Sequence, residues 1–252
     1  MLRCFGKILM LGTMLLIGNA LSAQMNFGTT GLLNAPSAEM QDSKTVMIGG
    51  NYLNKEITPD TWTYGTFNYF VNVTIFPFLE VAYTATMFKA KTIGIDWMVD
   101  PEKFCNQDRY FSARLRVLKE GQFWKHMPAV VFGTSDPYTE AGSGQIAAEV
   151  RNGFFCRFYA AATKHFLLGT ERFGVTVSYV YNRRVSKHLN GIAAGITYEP
   201  SVLPNLRVIA EYDNRDFAVG LSYLLFDQLH AQFELQRFKY FTGGLCYKIH
   251  LK

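Results

Sequence analysis

Tyr110-Phe111-Ser112-Ala113-Arg114-Leu115-Arg116-Val117 alternates with a period of two. The tyrosine, serine and both arginines fall on one face, and the phenylalanine, alanine, leucine and valine on the other. His230-Ala231-Gln232-Phe233-Glu234-Leu235-Gln236 repeats the pattern. Successive side chains of a β-strand point to opposite faces, so each stretch reads as a strand with one apolar and one polar face. A soluble sheet turns the polar face to water. A membrane barrel turns the apolar face to lipid and the polar face to its lumen.

Twelve such segments follow residue 44: 44–54, 64–76, 79–88, 108–118, 127–134, 153–163, 172–182, 190–199, 206–213, 217–226, 229–238 and 240–251. An even number returns the C-terminus to the side from which the N-terminus came, as bacterial single-chain barrels require. The links then alternate between a short periplasmic set and a longer outer set that includes 89–107 and 135–152. Asp213-Asn214-Arg215-Asp216 reads as a tight polar hairpin turn. No stretch after the N-terminal region reaches the ~20 apolar residues of a spanning helix, so any span must be made of strands. Lipid cannot hydrogen-bond backbone groups, so those strands must close on themselves.

The N-terminus reads as a secretory signal peptide over residues 1–23. Arg3 and Lys7 start it, Ile8 to Ile17 form an apolar stretch, and Leu21-Ser22-Ala23 presents small residues for cleavage before Gln24. Removing it takes two positive charges from a formal net charge of +5, and that modest balance, with export, argues against nucleic acid. Residues 24–43 are rich in Gly, Asn, Thr, Ser and Ala; they read as a periplasmic lead-in or a short plug, with the barrel over 44–252.

Aromatic residues make up 15% of the chain and gather at segment ends, as interface girdles do, although aromatics also favour strands generally. Three cysteines remain after the leader: Cys105, Cys156 and Cys246. By alternation Cys156 sides with Phe154 and Phe158 toward lipid, and Cys246 toward the lumen, so the expectation is thiols rather than a disulfide or metal site.

Val71, Phe111, Leu115, Val117, Val175, Val177, Leu221 and Leu245 fall on the lipid phase. Glu80, Arg114, Arg116, Arg157, Arg207, Glu211 and Glu234 fall on the lumen phase. Two readings of those charges stand side by side. They pair across the barrel as a structural network, or they line a track for a polysaccharide whose carboxylates arginine forks would hold. Arginine at Leu115 or Val177 is expected to destabilise strongly, and at Thr74 or Ser222 far more mildly.

Catalytic chemistry is not apparent. There is no Gly-x-Ser-x-Gly elbow, no metal-ligand spacing, and no lysine behind Gly142-Ser143-Gly144 to make a phosphate loop. Of the five histidines, His126, His165 and His188 are placed in links and His230 and His250 near strand ends, none at mid-barrel beside Ser112 or Ser222. The chain is therefore read as a non-enzyme without a cofactor.

Gly28-Thr29-Thr30-Gly31-Leu32-Leu33-Asn34-Ala35-Pro36-Ser37-Ala38-Glu39-Met40, ahead of the first strand, resembles the opening of the YjbH-like outer-membrane proteins. Arg114-Leu115-Arg116-Val117-Leu118-Lys119-Glu120 with Pro128 to Gly133, Ala161 to Phe166, Leu189 to Tyr198, and Ala210 to Leu221 resemble further parts of that family, in its order. The resemblance implies an outer-membrane β-barrel of a Gram-negative bacterium, linked to exopolysaccharide production or export, with no established catalytic residues. Its partners would be outer-membrane lipid, extracellular polysaccharide and the export machinery. Many members look like two barrels in tandem; this chain has room for one. The expected fold is all-β, a closed antiparallel transmembrane β-barrel of about twelve strands, and the expected function an accessory of exopolysaccharide secretion or assembly. A general pore or solute channel and a soluble periplasmic glycan-binding β-sandwich are the alternatives.

Overall fold

The computed structural model describes residues 22–59, 62–89, 104–138, 154–182 and 190–251. Residues 1–21 of the expected leader, and most of the links 89–107, 135–152 and 183–189, lie outside the described residues, as does the side chain of Cys105.

Twelve strands form one closed antiparallel sheet: β1 (Thr45–Leu53), β2 (Thr66–Phe76), β3 (Leu79–Lys89), β4 (Phe104–Leu118), β5 (Ala129–Ser135), β6 (Arg157–Leu168), β7 (Glu171–Tyr181), β8 (Gly191–Glu199), β9 (Leu206–Tyr212), β10 (Phe217–Leu225), β11 (Leu229–Gln236) and β12 (Tyr240–His250). Each strand pairs with its sequence neighbours, and β12 closes on β1 from Thr45 opposite His250 to Tyr52 opposite Gly243. Closure leaves no free sheet edge and rules out a two-sheet sandwich. We call the rim at which β1 begins and β12 ends proximal and the opposite rim distal. No helix among the described residues is long and apolar enough to cross a membrane.

The alternation sets the two faces. In β2, Phe67, Tyr69, Val71 and Ile75 are exposed, while Thr66, Asn68, Phe70, Asn72 and Thr74 are buried. Phe111 and Leu115, Val175, Val177 and Tyr179, Leu221, and Leu245 and Tyr247 likewise stand on the outside. A soluble protein rarely exposes so continuous an apolar surface; a wall against lipid does. The inner wall is polar, and its Glu80, Ser112, Arg114, Thr163, Arg207, Glu211, Ser222, Gln232 and Glu234 are nevertheless buried.

The inner wall is buried because residues 22–41 fill the lumen, and every one of them is itself buried. Leu32, Leu33 and Ala35 pack on Ala193, Ile209 and Ala218 of β8, β9 and β10. Gly195 and Gly220 make room for them: a β-carbon there would sit 2.4 Å from Leu32 Cδ1 and 2.8 Å from Leu33 Cδ2. Ala38 and Met40 pack on Ala129, Val131, Tyr159 and Val180. Near the distal rim, Met25 and Phe27 join Leu53, Ile57, Tyr110, Phe154 and Phe155.

That distal cluster corrects one expected strand. β6 begins at Arg157 rather than 153 and runs on to Leu168. Phe154, Phe155 and Cys156 precede it and fold inward, with Phe155 5.7 Å from the Phe27 ring and 5.2 Å from the Tyr110 ring. Cys156 is therefore buried rather than lipid-facing. The parity argument fails there because parity holds only within a strand. Cys246 is buried on the lumen side of β12. The longer β6 also takes His165 out of a link and into a strand.

Candidate functional site

The segment 22–43 carries few charges but many amides and carbonyls, and a backbone buried in a barrel must find partners for them. It satisfies some itself: Met25 N donates to Thr29 O at 2.7 Å, Asn26 N to Leu33 O at 2.9 Å and Leu32 N to Ala35 O at 3.0 Å. Gly28, at φ 88°, takes the left-handed conformation that lets the chain reverse. Strand side chains satisfy others.

Glu211 of β9 accepts from the amides of Leu33 at 2.9 Å, Asn34 at 2.7 Å and Ala35 at 3.3 Å. Glu234 of β11 accepts from Asn34 Nδ2 at 2.6 Å and Asn26 Nδ2 at 2.5 Å. Glu80 of β3 accepts from Thr30 N at 2.8 Å. In the other direction, Arg114 of β4 donates through Nη2 to the carbonyls of Ser37 and Glu39 at 2.6 and 2.8 Å. Asn68 and Asn51 donate to Asn26 O, Asn72 to Gly28 O, and Thr84 to Phe27 O.

The seven lumen charges singled out from the sequence thus do different work. Arg114 and Glu80 are the one pair among them that meets directly, 3.0 Å apart with both side chains fully buried. Glu211 and Glu234 hold the inner segment's amides instead of an arginine. Arg157 lies over the Phe27 ring, 4.0 Å from its centroid, and donates weakly to Asn34 O at 3.4 Å. A cavity of about 20 Å³ beside it, lined by Asn34, Pro36, Val180, Asp213 and Asn214, has room for one water. Arg116 is half-buried near the proximal rim, with no ion pair among the described residues. Arg207 pairs with Glu39 at 2.5 Å and with Glu199. Arg114–Glu80 and Arg207–Glu199 thus pair between neighbouring strands, while Glu211 and Glu234 and the second contacts of Arg114 and Arg207 go to the inner segment.

Arg207 opens a chain of charges that sequence reasoning missed. Glu39 also meets His165 Nε2 at 2.8 Å, and His165 Nδ1 meets Glu120 at 2.6 Å. Glu120 meets Lys164 at 2.9 Å, and Glu199 meets Arg172 at 3.0 Å. Burial raises the Glu39 carboxyl, but Arg207 and His165 together overcome it and hold the group at about 2. Burial likewise raises Glu120 in the β4–β5 turn, and hydrogen bonds from His165 and Lys164 bring it down to about 2. Glu39, Asn26 and Asn34 lie outside the strands, where alternation assigns no face. A run of Asn, Thr and Gly before twelve strands was the available signal, since such residues offer a polar wall many partners.

One further contact departs from expectation. Ser222 Oγ of β10 lies 2.6 Å from His230 Nε2 of β11, so a histidine does stand beside a lumen serine. Ser222 opposes Gln232 in register, which puts His230 on the same face two residues away. Both are buried, and among the described residues no group is hydrogen-bonded to His230 Nδ1 to orient it as a base. Among the described residues no group of three or more His, Cys, Asp or Glu is placed to hold a metal ion.

Among solved structures, the chain is similar to outer membrane phospholipase A from Escherichia coli, at 13% identity and a TM-score of 0.41, covering 83% of this chain and 97% of that one. It is similar to the Salmonella typhi outer membrane phospholipase dimer with bound calcium, at 13% identity and a TM-score of 0.38, covering 83% and 91%. It is also similar to an S-type phycobiliprotein lyase from Guillardia theta, at 11% identity and a TM-score of 0.30, covering 83% and 88%. No curated protein matches. The family model YjbH, described as exopolysaccharide biosynthesis protein YbjH, matches residues 23–251. That match spans the inner segment and all twelve strands that enclose it, and the chain belongs to the YjbH exopolysaccharide family.

Proposed function

We propose that this protein is an outer-membrane barrel of a Gram-negative bacterium that acts as a non-enzymatic accessory in exopolysaccharide secretion or assembly. The observation that carries the reading is the family match over residues 23–251. The apolar outer wall supports placement in a membrane. The filled lumen favours an accessory over a general pore: Arg114, Glu80, Glu211, Glu234 and Arg207 are engaged with the inner segment and are not presented to solutes. The Ser222–His230 contact does not alter this reading, since neither side chain is reachable by a substrate. The partners would be the polymer outside and the export machinery within the envelope.

Deleting the gene and weighing secreted polysaccharide tests the role. Output should fall, and the wild-type chain should restore it. Purified protein in a planar bilayer should conduct little. Unchanged polymer output together with large, steady conductance would favour the pore.

A further inference from the structure

The seam where β12 closes on β1 carries a groove on the lipid-facing wall. Its volume is about 450 Å³. Gly50 and Gly243 lie along its floor, and Tyr52, Phe67, Phe233 and Phe241 form its sides. Phe67 meets the Tyr52 ring edge-on at 5.3 Å, and Phe241 lies 6.3 Å from both Tyr52 and Phe233. Gly243 keeps the floor low: a β-carbon there would point at Phe241 Cζ, 2.8 Å away, and at Gln232 O, 3.1 Å away. The groove lies in the distal half of the barrel and is continuous with the apolar outer wall, so hydrocarbon is the medium that meets it.

The rim above it is charged. Along β12 the outward positions Leu245, Gly243 and Phe241 lead to Lys239, and along β11 Phe233 and Leu235 lead to Arg237. Arg237 is held by Asp216 at 2.6 Å and Glu56 at 3.1 Å, and Lys55 stands 4.0 Å from Glu56. Lys239 is exposed, lies over the Tyr240 ring at 5.3 Å, and makes no ion pair among the described residues. The apolar groove thus runs along the outward phase of β12 to Phe241, two residues from the exposed Lys239.

We propose that this seam binds an anionic, phosphate-bearing lipid of the leaflet at the distal rim, one acyl chain lying over Gly50 and Gly243 and the phosphate near Lys239. Buried methylenes supply the affinity and the cation supplies the headgroup preference. The proposal needs only that the barrel spans a bilayer, so it stands or falls apart from the polysaccharide role.

The test is native mass spectrometry of the full chain in detergent, titrated with phosphatidylglycerol or phosphatidylethanolamine. Wild type should retain phosphatidylglycerol about fivefold better, the effect of one cation at a membrane surface. Lys239→Glu should erase that preference, and Gly243→Leu should weaken retention of both lipids alike. Faster migration of the unboiled protein on gels reports folding of each variant. Should Gly243→Leu not fold, Phe67→Ala removes one side of the groove and should weaken retention too. Lys125→Glu on the proximal rim is the control and should leave the preference intact. Wild type that retains neither lipid, an undiminished preference in Lys239→Glu, or equal loss in Lys125→Glu overturns the proposal.

Discussion

Arg114 shows how much one side chain can carry in this lumen. It neutralises Glu80 and holds two carbonyls of the inner segment. Arg114→Ala leaves Glu80 as a buried carboxylate without its cation, a change that costs about 3–5 kcal/mol in dry sites. Urea unfolding of the variant in lipid vesicles should show that loss; a change under about 1 kcal/mol would mean water reaches Glu80. Glu39 and Glu120 set the acid limit. Their carboxyls sit at about 2 in the folded chain, below the ordinary value of 4.5. A carboxylate depressed by folding stabilises above its unfolded value and loses that contribution as pH falls toward the folded one. The unfolding midpoint should therefore hold near neutrality and drop from about pH 4.5 toward 2. Glu39→Gln should flatten that drop, and an unchanged profile in the variant would show that Glu39 is not responsible.

At the scale of strands and turns, the two faces respond differently from what alternation alone implies. Leu115→Arg on the outside places a charge against lipid and should cost about 2–4 kcal/mol at the bilayer midplane. Arginine at Thr74 or Ser222 was expected to be far milder, because their phase points into a wet lumen. Both are 0% exposed, however, against a lumen filled by the inner segment. Thr74→Arg should therefore destabilise by at least about 1–3 kcal/mol through overpacking, and equal unfolding midpoints for Thr74→Arg and wild type would contradict the filled lumen. The turn between β10 and β11 offers the opposite sign. Phe226 is 87% exposed at φ 52°, a left-handed conformation unfavourable to a bulky side chain. Phe226→Asn should raise the unfolding free energy by about 1 kcal/mol of relieved strain, read from denaturant unfolding, since asparagine tolerates that region.

For the molecule as a whole, the barrel and its inner segment form one packed body. The closed sheet should need detergent for extraction and migrate faster unboiled than boiled. Removing residues 26–38 should withdraw the inner-segment partners of Glu211 and Glu234, and the Thr30 amide from Glu80. Such a chain should conduct in a planar bilayer where wild type does not, and should unfold more easily. Equal conductance of the two would show that the segment does not block the lumen.

The sequence by itself determined the strand count, the closure and the two faces. A period of two is a local property that survives any tertiary arrangement, and lipid permits no open sheet edge. The family was also legible there, in the run from Gly28 to Met40 and the pieces that follow it. Lumen parity selected Arg114, Glu80, Glu211 and Glu234, but parity says only which way a side chain points. Whether Glu211 meets an arginine or three amides of residues 33–35 depends on what lies across the lumen, nearly 180 positions away in the chain. The same holds for Arg207 with Glu39, for Ser222 with His230, and for Phe154 to Cys156, which leave the strand pattern to fold inward. Those partnerships belong to the tertiary structure alone, because shear and the path of the inner segment set them, and neither is written in the alternation of any one strand.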